Sequence, residues 1–209
     1  MSGKCVIFAG GEINTSDLSV PDDAFIICAD KGCLAAEKLH LTPHLVIGDF
    51  DSLGYVPSNE NKNIKTYSPQ KDDTDTLLAV KEALRAGAKE IIIYGALGGR
   101  LDHTIANIQT LAYIAENNAV GTLVSDENIV TMQLGGTKRC YKQREGFYFS
   151  VLSYTEKCTG VNISGTEYTL TNGELDYSFP LGVSNHITEA YGEVSLRTGK
   201  LLIIESKES

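Results

Sequence analysis

Two aspartates follow directly on an apolar run in the segment LVIGDFDSLG. Asp49 and Asp51 are two positions apart, so their side chains face the same way if the run continues as a β-strand. Their carboxylates would then lie about 6.5 Å apart and repel by about 2–3 kcal/mol at an effective dielectric near 20. Full exposure to water would weaken this repulsion severalfold, whereas a bound divalent cation would turn it into attraction. This spacing therefore leaves two interpretations open, a solvated surface pair and a metal site.

A second acidic group occurs in QKDDTDTLL, where Asp72, Asp73 and Asp75 lie at the start of a predicted helix. Aspartate is a favourable N-cap and complements the helix dipole, but a single cap needs only one of them. Because three carboxylates on one turn repel each other, we expect at least one to face a cation. We assign that role to Asp75 and the cap to Asp72 or Asp73.

The segment GALGGRLDHT combines a glycine turn with an arginine and an aspartate. Gly98-Gly99 would let backbone N–H groups approach phosphate oxygens, which the guanidinium of Arg100 also suits. For Asp102 an N-cap and a metal or ligand role are equally supported, and His103 is predicted to face solvent. The segment predicts a phosphate-binding loop.

These polar residues follow apolar runs that are typical of strands buried on both faces. The runs are KCVIFAG, AFIICAD, HLVIGDF and EIIIYGAL. They alternate with the helical patterns KGCLAAEKLH, TDTLLAVKEALRAG and LDHTIANIQTLAYIAENN, and in the last of these Ile105, Ile108, Leu111, Ala112 and Ala115 form a predicted core stripe. The alternation predicts an α/β fold with a doubly wound, mainly parallel sheet. Gly10-Gly11, Asp30, Asp49/Asp51 and Gly98–Arg100 would then gather at the carboxyl ends of the strands, where open α/β proteins bind ligands.

From about residue 122 the pattern changes to short strands separated by turn residues, which predicts a smaller all-β sandwich. The first of these strands is TLVSDEN and the last is KLLIIES. Asn172-Gly173 predicts a hairpin turn, and Thr198-Gly199-Lys200 predicts a second one. Because Gly135-Gly136 interrupts the pattern, we predict two domains, 1–134 and 135–209.

The composition argues against a nucleic-acid-binding, secreted or membrane protein. The 209-residue chain has 42% hydrophobic and 22% charged residues and a net charge of −9, so it lacks the basic surface of a nucleic-acid-binding protein. Its five cysteines form no CxxC pair, which favours free thiols in a reducing compartment. The start of the chain does not resemble a secretory signal, and no apolar stretch is long enough to cross a membrane. We therefore expect a cytoplasmic protein without nucleic-acid or membrane partners.

Three common catalytic motifs are absent: GxxxxGK[ST], GxGxxG and GxSxG. Several carboxylates together with Arg100 and Lys71 instead favour Mg²⁺-assisted transfer of a phosphate-containing group. Residue types and spacing do not identify the substrate.

The ordered motifs resemble those of the thiamine pyrophosphokinase family. They are ADKG at 29–32, GDFDS at 48–52, KDDTD at 71–75, GALGGRLDHT at 95–104 and GVSN at 182–185. The resemblance implies an enzyme that transfers the diphosphate of ATP to the hydroxyl of thiamine, giving thiamine diphosphate and AMP. It also implies a homodimer of two-domain subunits, with thiamine bound between the subunits.

The resemblance assigns roles to matching positions. Asp49, Asp51 and Asp75 resemble the Mg²⁺ ligands, and Asp30, Lys71, Asp72, Arg100 and Asp102 resemble further members of the nucleotide and transfer site. Ser184 and Asn185 resemble the thiamine-binding positions. Arg100 would steady the developing charge, and Asp72 or Asp102 could accept the hydroxyl proton. The chain has no tryptophan, so Tyr177, Phe179 or Tyr191 would have to supply any aromatic ring that packs on thiamine.

Two alternative functions remain at this point. One is another Mg²⁺-dependent phosphotransferase or phosphatase of the DxD type, which would form a phosphorylated aspartate. The other is a thiamine or nucleotide sensor without catalytic activity. AMP as a product would exclude the first, and turnover that depends on thiamine would exclude the second.

Overall fold

The computed structural model describes residues 3–16, 18–48, 63–66 and 73–208, with only the main chain for 63–66. The chain divides into two compact units, Met1–Asp126 and Glu127–Ser209. This division lies before the strand Asn128–Leu134, whereas the sequence analysis placed the boundary after it. The strand belongs to the second unit because it pairs along its length with the strand Lys200–Lys207.

The first unit is built on parallel strands. They are β1 (Lys4–Phe8), β2 (Phe25–Ala29), β3 (Leu45–Gly48), β4 (Asn63–Thr66), β5 (Glu90–Tyr94) and β6 (Val120–Val124). The helices are α1 (Cys33–Lys38), which follows a 3-10 turn at Asp30–Gly32, α2 (Asp75–Arg85) and α3 (Leu101–Glu116). The strands are ordered β4-β3-β2-β1-β5-β6, and every adjacent pair is parallel. The predicted doubly wound parallel sheet is confirmed. None of the described helices is long and apolar enough to cross a membrane.

Both faces of this sheet are covered, which explains why its strands read as continuous apolar runs. Val6 and Phe8 of β1 pack in one core cluster with Cys33 of α1. Successive strand residues alternate faces, so the equally buried Ile7 points the other way. Helix α2 packs against β1, β2 and β3.

The predicted core stripe of α3 is correct in its C-terminal part and wrong at its start. Leu111, Ala112 and Ala115 are buried, whereas Ile105 is 50% exposed. The buried position in that first part of the helix belongs instead to the polar Asn107. The spacing of apolar residues could not predict the burial of Asn107, because its side chain contacts the loop after β5.

The assignment of TLVSDEN to the β-rich half is wrong. Val120–Val124 pairs in parallel with β5 and therefore completes the sheet of the first unit. Its residues alternate between buried and half-buried positions, which is also the pattern of an antiparallel strand with one open face. Only the pairing partner distinguishes the two cases.

The second unit is a β-sandwich, as predicted. Its strands are β7 (Asn128–Leu134), β8 (Thr137–Lys142), β9 (Phe147–Ser153), β10 (Lys157–Ser164), β11 (Leu170–Asp176), β12 (Tyr191–Leu196) and β13 (Lys200–Lys207). They form antiparallel sheets in the orders β7-β13-β9 and β11-β10-β12-β8. Phe149 and Leu201 of the first sheet share one core with Val161 and Val194 of the second.

The two hairpin predictions in this unit are wrong. Asn172 and Gly173 lie inside β11, where the register with β10 is irregular and Asn172 has a φ of +47°. Asparagine tolerates this left-handed conformation, so the pair serves a bulge as readily as a turn. Thr198-Gly199-Lys200 does connect β12 to β13, but these strands lie in different sheets and do not pair.

All five cysteines are free thiols, and four of them are buried. Burial raises the pKa of the Cys5 thiol to about 12, which keeps it protonated and unreactive. The apolar neighbours of this thiol therefore make it a small core residue, as the sequence predicted.

A buried carboxylate in the sandwich gives a testable pH dependence. Glu205 on β13 is 9% exposed and accepts a hydrogen bond from Arg144 Nε at 2.8 Å. Burial raises the pKa of Glu205, and the charge of Arg144 only partly offsets this. A raised pKa in the folded state contributes stability that is present below the ordinary carboxyl range and is lost as the pH rises through the raised value. We therefore expect the Tm of Glu205→Gln minus that of the wild type to increase between about pH 4 and pH 7.

Thermal melts across this pH range check the prediction. Glu174→Gln is a matched control because it removes a carboxylate that is 66% exposed in the same unit. A Tm difference for Glu205→Gln that stays constant, or that falls as the pH rises, would contradict the prediction.

Candidate functional site

The strand order reverses direction between β1 and β5. The chain winds outward from β1 through β2 and β3 to β4, then returns to β5 and β6 on the other side. Ligands bind at such a reversal in open α/β sheets, beyond the carboxyl ends of the strands. Here Gly11 N donates a hydrogen bond to Gly95 O at 3.0 Å, and a Cβ on Gly11 would lie 2.4 Å from the same oxygen. The loops after β1 and β5 therefore approach each other as closely as backbone allows.

Asp30 is at this edge, as the sequence predicted. It follows β2 directly and has a φ of +50°, which is unusual for a residue with a side chain. Its Oδ2 is 3.2 Å from the position that a Cβ on Gly10 would take. The carboxylate of Asp30 thus lies against the loop that follows β1, next to the point where the strand order reverses.

Helix α2 begins with a capping arrangement that differs from the prediction. The N-cap is Thr74, whose Oγ1 accepts a hydrogen bond from Leu77 N at 3.2 Å. The assignment of the cap to Asp72 or Asp73 is therefore wrong, and Asp73 instead forms an ion pair with Lys81 at 2.6 Å. Asp75 is the first residue of the helix, close to the positive end of its dipole. Because α2 leads from β4 to the parallel strand β5, its start lies at the carboxyl edge of the sheet.

The loop before α3 has the glycine geometry expected of a phosphate-binding turn. Gly98 and Gly99 have φ values of +85° and +64°, and nothing would contact a Cβ at either position. Thr104 Oγ1 donates to Gly98 O at 3.2 Å, and the buried Asn107 donates through Nδ2 to Ala96 O at 2.8 Å. Hydrogen bonds from two side chains of α3 therefore stabilise this exposed loop.

Arg100 and Asp102 form a two-pronged ion pair on the surface. Nε donates to Oδ1 at 3.1 Å and Nη2 donates to Oδ2 at 2.6 Å, with the side chains 73% and 64% exposed. Arg100 occupies the N-cap position, so the N-cap interpretation of Asp102 is wrong. The hydrogen bond from Arg100 lowers the pKa of Asp102, and the same contact raises that of Arg100. A carboxylate with a lowered pKa is a weaker base, which makes Asp102 a poor proton acceptor and a good orienting partner for the guanidinium. His103 is exposed, as predicted.

In the second unit, Ser184 and Asn185 are adjacent but differ in their surroundings. Ser184 is exposed and has a φ of +58°, and its N–H donates to Ser150 Oγ at 3.1 Å. Asn185 is buried, and its side chain contacts the backbone of Tyr168 twice: Oδ1 accepts from Tyr168 N at 3.0 Å and Nδ2 donates to Tyr168 O at 2.7 Å. Asn185 therefore anchors a neighbouring loop, while the Ser184 hydroxyl is on the surface.

Four predicted site residues, Asp49, Asp51, Lys71 and Asp72, lie outside the described residues. Of the predicted metal ligands the described ranges include Asp75, and within those ranges no three His, Cys, Asp or Glu side chains come close enough to hold an ion. Strand β3 ends at Gly48, so Asp49 comes next along the chain after a strand of the same sheet. Carboxylates are the ligands that Mg²⁺ prefers, and this donor set fits that ion.

Three residues that position the site were not singled out from the sequence: Thr74, Lys81 and Asn107. A polar residue inside the apolar stripe of α3 could have indicated Asn107, since buried amides need specific partners. Thr74 is itself a favourable N-cap type and was passed over for its acidic neighbours. No local signal pairs Lys81 with Asp73, because either could have remained in solvent.

Family models cover most of the chain in two segments. Residues 18–123 match the catalytic domain of thiamin pyrophosphokinase, and residues 139–201 match its vitamin B1 binding domain. The first segment contains β2 to β5 with Asp30 and the Gly98-Gly99 turn, and the second contains Ser184 and Asn185.

Individual relatives agree with the family models. Thiamine pyrophosphokinase of Bacillus subtilis (strain 168) is 29% identical over 212 residues, which cover 97% of this chain and 98% of that protein. Thiamin pyrophosphokinase 1 of Caenorhabditis elegans is 24% identical, over 77% of this chain and 68% of that protein. The crystal structure of the Bacillus subtilis enzyme matches with a TM-score of 0.88 at 26% identity, covering 99% of this chain and 100% of that one. A thiamin pyrophosphokinase family protein from Enterococcus faecalis matches with a TM-score of 0.82 at 27% identity and the same coverage.

Proposed function

The chain belongs to the thiamin pyrophosphokinase family, and we propose that it transfers the diphosphate of ATP to the hydroxyl of thiamine, releasing AMP. The observation that carries this proposal is the match of successive segments of the chain to the two family domains, one catalytic and one that binds vitamin B1. Neither alternative is favoured: a DxD phosphotransferase would leave the match to the vitamin B1 binding domain unexplained, and relatives similar over the whole chain are named as pyrophosphokinases and not as sensors.

We propose that the nucleotide binds at the carboxyl edge of the parallel sheet, with Asp49, Asp51 and Asp75 holding Mg²⁺. When bound there, Mg²⁺ would neutralise charge on the phosphate chain of ATP. The exposed Gly98-Gly99 turn offers backbone N–H groups to the same phosphates. Asp30 and Lys71 complete the proposed nucleotide site, and Asp30 supports this by its place against the loop after β1.

In the proposed reaction, the thiamine oxygen forms a bond to the β-phosphorus of ATP. The bond between that phosphorus and the oxygen that bridges it to the α-phosphate breaks, and AMP leaves with the bonding electrons. Positioning and charge stabilisation supply most of the rate in such transfers. Arg100, already oriented by Asp102, would stabilise charge on the transferred group. Since the ion pair makes Asp102 a weak base, we assign acceptance of the hydroxyl proton to Asp72.

We propose that the sandwich unit binds thiamine through Ser184, with Asn185 holding the neighbouring loop. Tyr177, Phe179 and Tyr191 are 67%, 65% and 56% exposed, so each has a free ring face that could pack on the thiazolium. The stable partner of an exposed aromatic face is a flat apolar or cationic ring.

We further propose that the protein is a homodimer with thiamine between its subunits. Large apolar side chains of the sandwich unit are exposed: Tyr168, Tyr177, Phe179, Leu181, Val183 and Tyr191. Four of these alternate along 177–183, and a run of this kind is typical of a surface that another chain covers. Sedimentation should give a dimer mass for the wild type and a shift toward monomer for Phe179→Ser. Leu101→Ser, on a side chain that is 72% exposed in the first unit, should remain dimeric. A monomeric wild type would contradict the proposal.

We place the protein in the cytoplasm, where free thiols persist. Five free cysteines support that location, and four of them are packed into the two cores.

The decisive experiment identifies the products formed from ATP, Mg²⁺ and thiamine. Thiamine diphosphate and AMP in equal amounts are expected. Orthophosphate with a phosphorylated aspartate would instead indicate the DxD alternative, and saturable binding without turnover would indicate a sensor.

A further inference from the structure

The segment that carries Ser184 runs along the outer side of strand β9 and contains one extra residue. Val151 N donates to Gly182 O at 2.8 Å, and Phe149 N donates to Asn185 O at 2.7 Å. Between these two contacts β9 has one residue, Ser150, whereas the opposite segment has two, Val183 and Ser184. Two residues facing one define a β-bulge, a device that redirects a side chain and often occurs beside active sites.

The bulge is held by a side chain as well as by the backbone. A regular ladder would leave Ser184 N–H without a partner, and here Ser150 Oγ accepts it at 3.1 Å. Ser150 is 9% exposed and lies on a strand that pairs with β13, so its Cβ has a fixed position. The left-handed conformation of Ser184 is unfavourable for a residue with a Cβ, and it persists only where the surroundings enforce it.

Contacts of the residues before and after Ser184 fix the backbone conformation of this segment. A Cβ on Gly182 would lie 2.1 Å from Val151 O, so this segment approaches β9 as closely as a glycine permits. On the other side, the Asn185 side chain bonds both backbone groups of Tyr168. Ser184 is therefore the exposed member of a segment that is fixed before and after it.

We propose that Ser150 is a positioning residue for thiamine binding, because its buried hydroxyl holds the bulge from which Ser184 presents its own hydroxyl. This inference rests on the proposed function of Ser184. Ser150 itself does not touch the substrate. Its removal should loosen the bulge, weaken thiamine binding and leave ATP binding unchanged.

The experiment compares Ser150→Ala with the wild type, with Ser150→Thr and with Ser153→Ala. Threonine keeps the hydroxyl and should restore the contact. Ser153 lies on the same strand but donates to Thr155 O, outside the bulge, so its alanine variant controls for loss of a serine from β9. Ser150→Cys, which keeps the size with a weak hydrogen-bonding group, replaces the alanine variant if that variant does not fold.

Two measurements are made on each variant. In Ser150→Ala, hydrogen exchange at the Ser184 amide should become faster while exchange at the core amides stays unchanged. The KM for thiamine should rise about three- to tenfold, the equivalent of one neutral hydrogen bond, with the KM for ATP unchanged. Ser150→Thr and Ser153→Ala should behave like the wild type in both.

Wild-type exchange at the Ser184 amide in Ser150→Ala would overturn the inference, and so would a wild-type KM for thiamine in that variant. A rise in both KM values would also overturn it, since that would indicate general damage. Failure of the proposed function is distinct, because the wild type would then form no thiamine diphosphate. In that case hydrogen exchange at the Ser184 amide would still show whether this amide is hydrogen-bonded to Ser150.

Discussion

Asp75→Asn is expected to lower kcat on the order of 10²- to 10³-fold, with little loss of stability. Asp73 and Asp75 near the start of α2 lie in different surroundings, which makes Asp75 the residue to change. Thr74 caps the helix and Asp73 pairs with Lys81, so neither the cap nor that ion pair needs Asp75. Asp75 also places a negative charge near the helix N-terminus, and such a charge contributes about 0.3–1 kcal/mol.

Turnover should be measured against Mg²⁺ concentration, together with thermal melts. The half-saturating Mg²⁺ concentration is expected to rise in Asp75→Asn. The matched control is Asp73→Asn, which makes the same change two residues away on a carboxylate that is bound to Lys81. It should retain most of the wild-type kcat. Wild-type turnover and Mg²⁺ dependence in Asp75→Asn would remove Asp75 from the metal site, while an equal loss in both variants would indicate an unspecific effect of charge on this segment. Asp49→Asn is also expected to remove most activity and leave the fold intact.

The second large effect is expected for Arg100→Ala, which should lower kcat on the order of 10²-fold. The ion pair with Asp102 is mostly exposed, and exposed pairs contribute little to folding, so the Tm should stay within about 3 °C of the wild type. Arg100→Lys keeps the charge but loses the two-pronged geometry, and it should recover only part of the activity.

Two further variants serve as controls for a loss of kcat in Arg100→Ala. Lys89→Ala removes a positive charge just before β5, at the opposite edge of the same sheet, and should leave kcat unchanged. Asp102→Asn keeps Arg100 but removes its charged partner, so a loss smaller than that of Arg100→Ala is expected. If Asp102→Asn is the more damaging of the two, Asp102 acts directly in the reaction and the assignment of the proton acceptor to Asp72 is wrong. Unchanged kinetics in Arg100→Ala would place that residue on the solvated surface.

Some features of this protein follow from local sequence. Apolar runs such as Lys4–Phe8 and Glu90–Tyr94 became buried parallel strands, because only a sheet covered on both faces accommodates side chains that are apolar on both sides. The sandwich also followed from its short strands and turns. Motif order identified the family, since several short segments in sequence are far more specific than any one of them.

Other features needed the fold. The residue pattern of the strand Val120–Val124 fits both the parallel sheet of the first unit and the antiparallel strands of the second. Its parallel pairing with β5 places it in the first unit. The strands Asn63–Thr66 and Thr137–Lys142 are too polar to be recognised alone and exist because neighbouring strands pair with them. Asn172-Gly173 met the conformational requirement of a turn and of a bulge equally, and the register of β10 and β11 selected the bulge.

The sequence by itself determined which residue types the proposed site has: carboxylates and an arginine beside glycine turns, and a serine in the second half. Tertiary structure decided which of these polar residues form ion pairs or hydrogen bonds, and with which partners. Asp73 is paired with Lys81, Asp102 orients Arg100, and Ser150 holds Ser184 across a bulge. The physical reason is that the free energy of a polar contact depends on distance, direction and burial, which residues far apart in sequence acquire only when the chain folds.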